Sequence, residues 1–191
     1  CEVTHRIIPD RIVAGTYLAA AAATRGNLVI TGVEYDHIGS IIYCLKRIGC
    51  IVKNYQGGVV TLETPEKLKA LDLIRTSPYP GFPTDMQPQI VALLSKCEGT
   101  SVVVETVFEN RFRYTEQLLK LGADISVQGR AAIIRGVEKL KGAEVEARDL
   151  RGGAALIIAG LSAEGVTKVS GVNYIDRGYE RIEEALQKIG A

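Results

Sequence analysis

The apolar and polar positions of this chain fall into one pattern that recurs three times. Each round opens with an aspartate ahead of a helix-length run of small and apolar residues, and closes at a glycine before a short strand-like segment. The first run is Asp10 with RIVAGTYLAAAAATRG, ending at Gly26. The second goes from Asp85-Met86 through Gly99. The third is Asp149-Leu150-Arg151 with GGAALIIAGLSAEG, ending at Gly165. Runs that are apolar almost all round predict helices buried on every side. Strands are expected at 28–31, 102–105 and 167–170, and a polar loop then leads to a second, amphipathic helix. Those helices share an ending: Leu45-Lys46-Arg47-Ile48-Gly49, Leu118-Leu119-Lys120-Leu121-Gly122 and Leu186-Gln187-Lys188-Ile189-Gly190. A basic residue suits the negative end of a helix dipole, and a glycine can take the left-handed conformation that ends it.

After Gly49 and Gly122 the pattern predicts hairpins, 51–53 with 59–62 across Gln56-Gly57-Gly58, and 125–127 with 131–134 across Gln128-Gly129-Arg130. A strand is also expected before each aspartate, at 4–8, 73–75 and 145–147. The unit is therefore βαβαββ, and the fold class is mixed α/β (α+β), with one domain over 1–191 and units at about 1–64, 72–136 and 143–191. The third unit reaches Gly190-Ala191 where the other two begin their hairpins, and the one methionine is Met86. The expectation is a chain that starts inside a larger protein or was processed, and whose last two strands were either cut off or are supplied by another part of a longer chain, since an unfinished sheet leaves open edges. Three buried helices in one repeat position would aim three N-termini at one end. Such ends attract anions.

Composition narrows the function classes. Of 191 residues, 47% are hydrophobic, and 23 Lys+Arg against 22 Asp+Glu give a net charge of +1. That is enough apolar residue for a real core and offers no basic field for nucleic acid or an anionic membrane. The longest apolar runs fall short of a membrane span. Cys1, Cys44, Cys50 and Cys97 form no CxxC pair, and His5 and His37 stand alone, so the cysteines read as free thiols and no metal site is expected. HExxH, GxSxG, P-loop and GxGxxG patterns are absent.

The stretch Pro80 to Arg111, PGFPTDMQPQIVALLSKCEGTSVVVETVFENR, carries the most chemistry. Prolines and Gly81 stiffen a loop that delivers Asp85 to the start of a helix, and the strand that follows runs out into Thr106-Val107-Phe108-Glu109-Asn110-Arg111. Asp85 reads either as a helix N-cap, like Asp10 and Asp149, or as a positioned base, which a stiff loop suits. Arg177, in Tyr174-Ile175-Asp176-Arg177-Gly178-Tyr179-Glu180, reads either as a surface arginine paired with Asp176 or Glu180, or with Arg151 as a fork for a carboxylate or phosphate. Arg111 and Arg113 occupy the matching loop of the second unit.

The strings Pro80-Gly81-Phe82-Pro83-Thr84-Asp85-Met86-Gln87, Glu105-Thr106-Val107-Phe108-Glu109-Asn110-Arg111-Phe112, Asp149-Leu150-Arg151 and Asp176-Arg177-Gly178-Tyr179-Glu180-Arg181-Ile182-Glu183, with Pro9-Asp10-Arg11-Ile12, closely resemble the UDP-N-acetylglucosamine 1-carboxyvinyltransferase family. They do not occur in the sister 5-enolpyruvylshikimate-3-phosphate synthases, which share the fold. The resemblance implies the C-terminal domain of a two-domain enolpyruvyl transferase, an inside-out α/β barrel with helices inside and sheets outside. It implies transfer of enolpyruvyl from phosphoenolpyruvate to the 3′-hydroxyl of UDP-N-acetylglucosamine with release of phosphate. That is the first committed step of peptidoglycan synthesis, and so serves cell wall biogenesis, cell shape and cell division in the cytoplasm.

It further implies Asp85 as the base at that hydroxyl, Arg151 and Arg177 around phosphoenolpyruvate and phosphate, and Val107, with Phe108 beside it, against the sugar nucleotide. No cofactor is implied. The family's general acid, a cysteine or aspartate on a mobile loop, belongs to the N-terminal half, so this chain alone is expected to be inactive. The competing reading is a free-standing binding or interaction module on the same repeat.

Overall fold

The computed structural model describes residues 3–190. In chain order its elements are α1 (Arg11–Ala23), β1 (Leu28–Ile30), α2 (Gly39–Arg47), β2 (Ile51–Tyr55) and β3 (Val59–Glu63); then β4 (Leu73–Arg75), α3 (Gln87–Leu94), β5 (Thr100–Val104), α4 (Thr115–Lys120), β6 (Asp124–Gln128) and β7 (Ala131–Arg135); then β8 (Leu140–Lys141), β9 (Glu144–Glu146), α5 (Leu150–Leu161), β10 (Ala163–Glu164), β11 (Lys168–Ser170), α6 (Val172–Ile175) and α7 (Ile182–Lys188).

The three small-residue helices are the inner layer: α3 packs on α5, and α1 packs on both. Every residue of α3 is buried, and Ala19, Ala20, Ala22 and Ala23 of α1 and Ala154, Ala155 and Ala159 of α5 are buried too. Small side chains let helix axes approach closely. Gly15 shows the limit, since a Cβ there would lie 2.8 Å from the Ile41 side chain and 2.9 Å from the Met86 sulfur. The amphipathic helices α2, α4 and α7 bury one side only. Their ends follow the expected chemistry: Gly49 and Gly122 take φ of +112° and +85°. The next residues, Cys50 and Ala123, donate their N–H groups back to Leu45 O and Leu118 O at 3.0 and 3.2 Å.

Three sheets lie outside. The second is complete, in the order β4-β5-β7-β6, with β4 parallel to β5 and the rest antiparallel. The first holds β1-β3-β2, all antiparallel. The third pairs β9 parallel to β11, register Val145 with Val169, and β8 with β10 form a separate short ladder. The expected strand at 4–8 is not formed. In the second and third sheets the strand before the helix is held by parallel pairing and buries Ile74 or Val145. Among the described residues, 3–8 pair with nothing, and Val3, Ile7 and Ile8 are exposed. With no ladder and no burial, nothing offsets the entropy of ordering a strand.

Both ends of the helix layer are stitched. At one, Arg25 donates to Ala22 O at 3.4 Å and Lys96 O at 3.1 Å, tying the C-termini of α1 and α3. At the other, Gln89 of α3 donates to Thr16 Oγ1 of α1 at 3.2 Å. The helices therefore run in the same direction, and their N-termini share one rim.

Candidate active site

Two of the three repeat-position aspartates are helix caps. Asp10 accepts from the N–H groups of Ile12 and Val13 at 2.7 and 3.1 Å. Asp149 accepts from Gly152 N–H at 2.8 Å. Asp85 does not cap. Its place three residues ahead is taken by Pro88, which has no N–H to offer. Residues 84–86 form a tight 3₁₀ turn instead, and α3 starts only at Gln87. The loop before it is pinned by Ser77 N–H to Phe82 O at 2.9 Å and Gly81 N–H to Pro78 O at 2.8 Å.

The freed carboxylate is held by two guanidiniums. Arg111 Nη2 donates to Asp85 Oδ1 at 2.9 Å, and Arg151 Nη2 to Asp85 Oδ2 at 3.3 Å. The side chains of Arg111 and Arg151 are 19% and 13% exposed, whereas that of Asp85 is 42% exposed. The cations are thus mostly sunk in the protein and the carboxylate stands at the opening. Aromatic rings back both arginines: Phe108 lies 5.1 Å from the Arg111 guanidinium carbon and Tyr179 lies 5.6 Å from that of Arg151.

Beneath this pair runs a chain of hydroxyls with a set direction. Thr16 Oγ1 donates to Ile12 O at 2.8 Å. Its bond with Tyr179 Oη, also 2.8 Å, must therefore use the tyrosine proton. Tyr179 Oη in turn accepts from Arg151 Nη1 and Gln89 Nε2, both at 3.2 Å. Arg151 is fixed by a relay that ends on the backbone of α1. On the other flank Tyr114 Oη donates to Gln87 Oε1 at 3.0 Å. Burial pushes the Tyr114 phenol well above its ordinary pKa, so that it remains a donor.

The other expected residues divide. Val107 and Phe108 lie at the same rim, 46% and 49% exposed, and Phe108 reaches the cluster through Arg111. Their N–H groups are already bound to Glu105 Oε1, at 2.8 and 3.2 Å. Arg177 is exposed and, among the described residues, its side chain makes no hydrogen bond or ion pair, with Asp176, Glu180 or anything else. It sits two residues before Tyr179, but the structure does not bring its guanidinium into contact with Asp85. Tyr179 and Glu105 were not singled out as site residues from the sequence, and Arg111 was noted only for occupying the matching loop of the second unit. A signal for Glu105 was present: Ser101, Val103 and Glu105 alternate onto the buried face.

Cys44, Cys50 and Cys97 are free and buried, and burial pushes the Cys44 and Cys97 thiols up to about 12. Cys1 lies outside the described residues. Among the described residues, no three His, Cys, Asp or Glu side chains converge as metal ligands, and no helix is long and apolar enough to cross a membrane.

Comparison with known proteins gives this rim a context. The model of the EPSP synthase (3-phosphoshikimate 1-carboxyvinyltransferase) family matches residues 1–186. The chain belongs to this family. Among its members, the chain is 56% identical over 190 residues to UDP-N-acetylglucosamine 1-carboxyvinyltransferase 2 of Caldanaerobacter subterraneus subsp. tengcongensis, covering 100% of this chain and 45% of that protein. It is 50% identical to a UDP-N-acetylglucosamine 1-carboxyvinyltransferase of Desulfofundulus thermocisternus, covering 98% of this chain and 76% of that one. The crystal structure of the enolpyruvyl transferase NikO from Streptomyces tendae superposes with a TM-score of 0.83 at 28% identity, over 97% of this chain and 44% of that chain. The chain thus spans under half the length of most curated relatives it matches. The enolpyruvyl transferase fold that the resemblance implies, with inner helices and outer sheets, is the fold observed.

Proposed function

We propose that this chain is the C-terminal catalytic half of a UDP-N-acetylglucosamine 1-carboxyvinyltransferase, with UDP-N-acetylglucosamine and phosphoenolpyruvate as substrates and the N-terminal half of the same enzyme as partner. The observation that carries the reading is Asp85. It leaves its capping position and stands partly exposed between two anchored guanidiniums, beside Val107 and Phe108.

In this reading the sugar 3′-hydroxyl hydrogen-bonds Asp85, whose oxygens each spend one bond on an arginine and keep lone pairs for a second donor. Asp85 takes the hydroxyl proton as the sugar oxygen bonds to the central carbon of phosphoenolpyruvate, whose methylene carbon is protonated from the N-terminal half. The resulting tetrahedral adduct then loses phosphate and a methyl proton, which restores the enol double bond. Arg151 holds negative charge as it develops. Arg177, exposed and without a partner among the described residues, is the arginine available to a phosphate or carboxylate of the incoming substrate. Such an enzyme acts in the first committed step of peptidoglycan synthesis, in the cytoplasm. A non-catalytic module with the same repeat has no observation in its favour.

The test is phosphate release from phosphoenolpyruvate by the full-length protein that contains this chain. UDP-N-acetylglucosamine supports release and shikimate 3-phosphate does not; the opposite preference would overturn the substrate assignment. Residues 1–191 expressed alone bind weakly and release no phosphate, and turnover by them would show that the general acid lies within this half.

A further inference from the structure

The reading above uses residues at the rim. Beneath them lies a carboxylate that it leaves unexplained. Glu105 is 1% exposed, and among the described residues no cation pairs with it. Its partners are four neutral donors. Oε1 accepts from Thr76 Oγ1 at 2.9 Å, Val107 N–H at 2.8 Å and Phe108 N–H at 3.2 Å, and Oε2 accepts from Thr84 Oγ1 at 2.9 Å. Those donors sit on three separate segments: the end of β4, the loop that carries Asp85, and the loop that leaves β5 with Val107 and Phe108.

A buried charge without a counter-ion is a costly way to pin loops, because desolvation must be repaid by hydrogen bonds alone. Other clamps were already available. Thr106 exchanges two bonds with Thr76, its N–H to Thr76 Oγ1 at 2.8 Å and its Oγ1 to Thr76 O at 2.6 Å. Glu105 N–H also donates to Arg130 O at 2.8 Å. These hold the strand ends together without the Glu105 carboxylate. What the carboxylate adds is a single rigid group joining Thr84, next to Asp85, to the backbone of Val107 and Phe108. Three donors on one oxygen suit a carboxylate better than an amide carbonyl, because the negative charge strengthens each bond.

We infer that Glu105 is a positioning residue, which sets the distance between the base Asp85 and the Val107–Phe108 edge so that one sugar nucleotide can engage both. The inference rests on the proposed function. It predicts that small changes to the carboxylate impair transfer without unfolding the protein. In Glu105→Gln the side-chain shape is kept. The amide can donate to Thr84 once that hydroxyl turns round, while the neutral amide oxygen holds the three donors on its side more weakly than the charged one, so the Val107–Phe108 edge shifts. A displacement on the order of 1 Å costs up to ~100-fold in rate.

The experiment compares full-length wild type, Glu105→Gln and Thr84→Val in phosphate release, with thermal unfolding measured alongside. Glu105→Gln should raise the KM for UDP-N-acetylglucosamine and lower kcat, with kcat/KM down by roughly 10- to 100-fold and Tm close to wild type. Thr84→Val removes only the link on the Asp85 side, and should lower kcat while leaving that KM near wild type. Wild-type kinetics in Glu105→Gln, or losses in both variants that merely track a falling Tm, would overturn the inference. If Glu105→Gln does not fold, Thr84→Val decides alone: an unchanged kcat overturns the inference. An inactive wild type would instead overturn the proposed function, so the two failures are distinguishable.

Discussion

Replacing Asp85 by asparagine separates the two physical jobs that an aspartate can do at this repeat position. In the wild type its carboxylate bonds two guanidiniums at 2.9 and 3.3 Å. Asparagine keeps one oxygen for one arginine and turns an NH2 group toward the other, so one charge-assisted bond is lost and a donor faces a donor. With Asp85 42% exposed and its partners 13–19% exposed, the loss lies between an open surface pair and a buried one, and is about 1–2 kcal/mol of stability. Asp10→Ala is the matched control. It removes a cap accepting two bonds and costs a similar amount, about 1 kcal/mol, at a carboxylate that bonds neither Asp85 nor its two arginines. A general base contributes about 10²- to 10⁴-fold, or roughly 3–5 kcal/mol of barrier. The assay is phosphate release at saturating substrate by full-length variants, with denaturant unfolding of each. Asp85→Asn should lose at least ~100-fold in kcat, and Asp10→Ala should keep its kcat at equal loss of stability. If the two variants lose stability equally and both retain kcat, Asp85 is an ion-pair staple and the catalytic argument fails.

Two further predictions follow from the same geometry. Arg111→Lys keeps a charge but loses the planar group that bonds Asp85 and lies against Phe108; kcat/KM should fall by at least ~10-fold, the worth of one charge-assisted bond, and an unchanged value would remove Arg111 from the site. The Cys44 and Cys97 thiols rise from 9.0 to about 12 in the folded chain, so their contribution is intact below pH 9 and is lost as pH climbs toward 12, by up to about 1.4 kcal/mol per pH unit for each thiol. A Cys44→Ala/Cys97→Ala variant should therefore show a shallower alkaline loss of stability in denaturant titrations, and parallel slopes would refute the burial argument.

Much of this was legible along the chain because it depends on near neighbours. Helix burial follows from runs such as Ala19 to Ala23. The left-handed turns at Gly49 and Gly122 follow from the residue before and the glycine itself. The failure of Asp85 to cap was also written locally, in Pro88, three residues on, which removes the donor that Asp10 and Asp149 find in Val13 and Gly152.

The remainder depended on contacts between distant segments. Residues 4–8 have the apolar content of a strand, yet a strand exists only where a neighbour completes its hydrogen bonds, and here none does. Arg111 and Arg177 occupy similar loops in successive units, and only the fold decides that the first reaches Asp85 while the second points free. Alternation along β5 hints that Glu105 faces inward, but only the fold shows Thr76, Thr84 and the backbone of Val107 and Phe108 closing around it. Local sequence sets the periodicity and the caps of each element, because those bonds span three or four residues. The meeting of Asp85, Arg111 and Arg151 spans 26 and 66 residues, and was decided by how three helices pack.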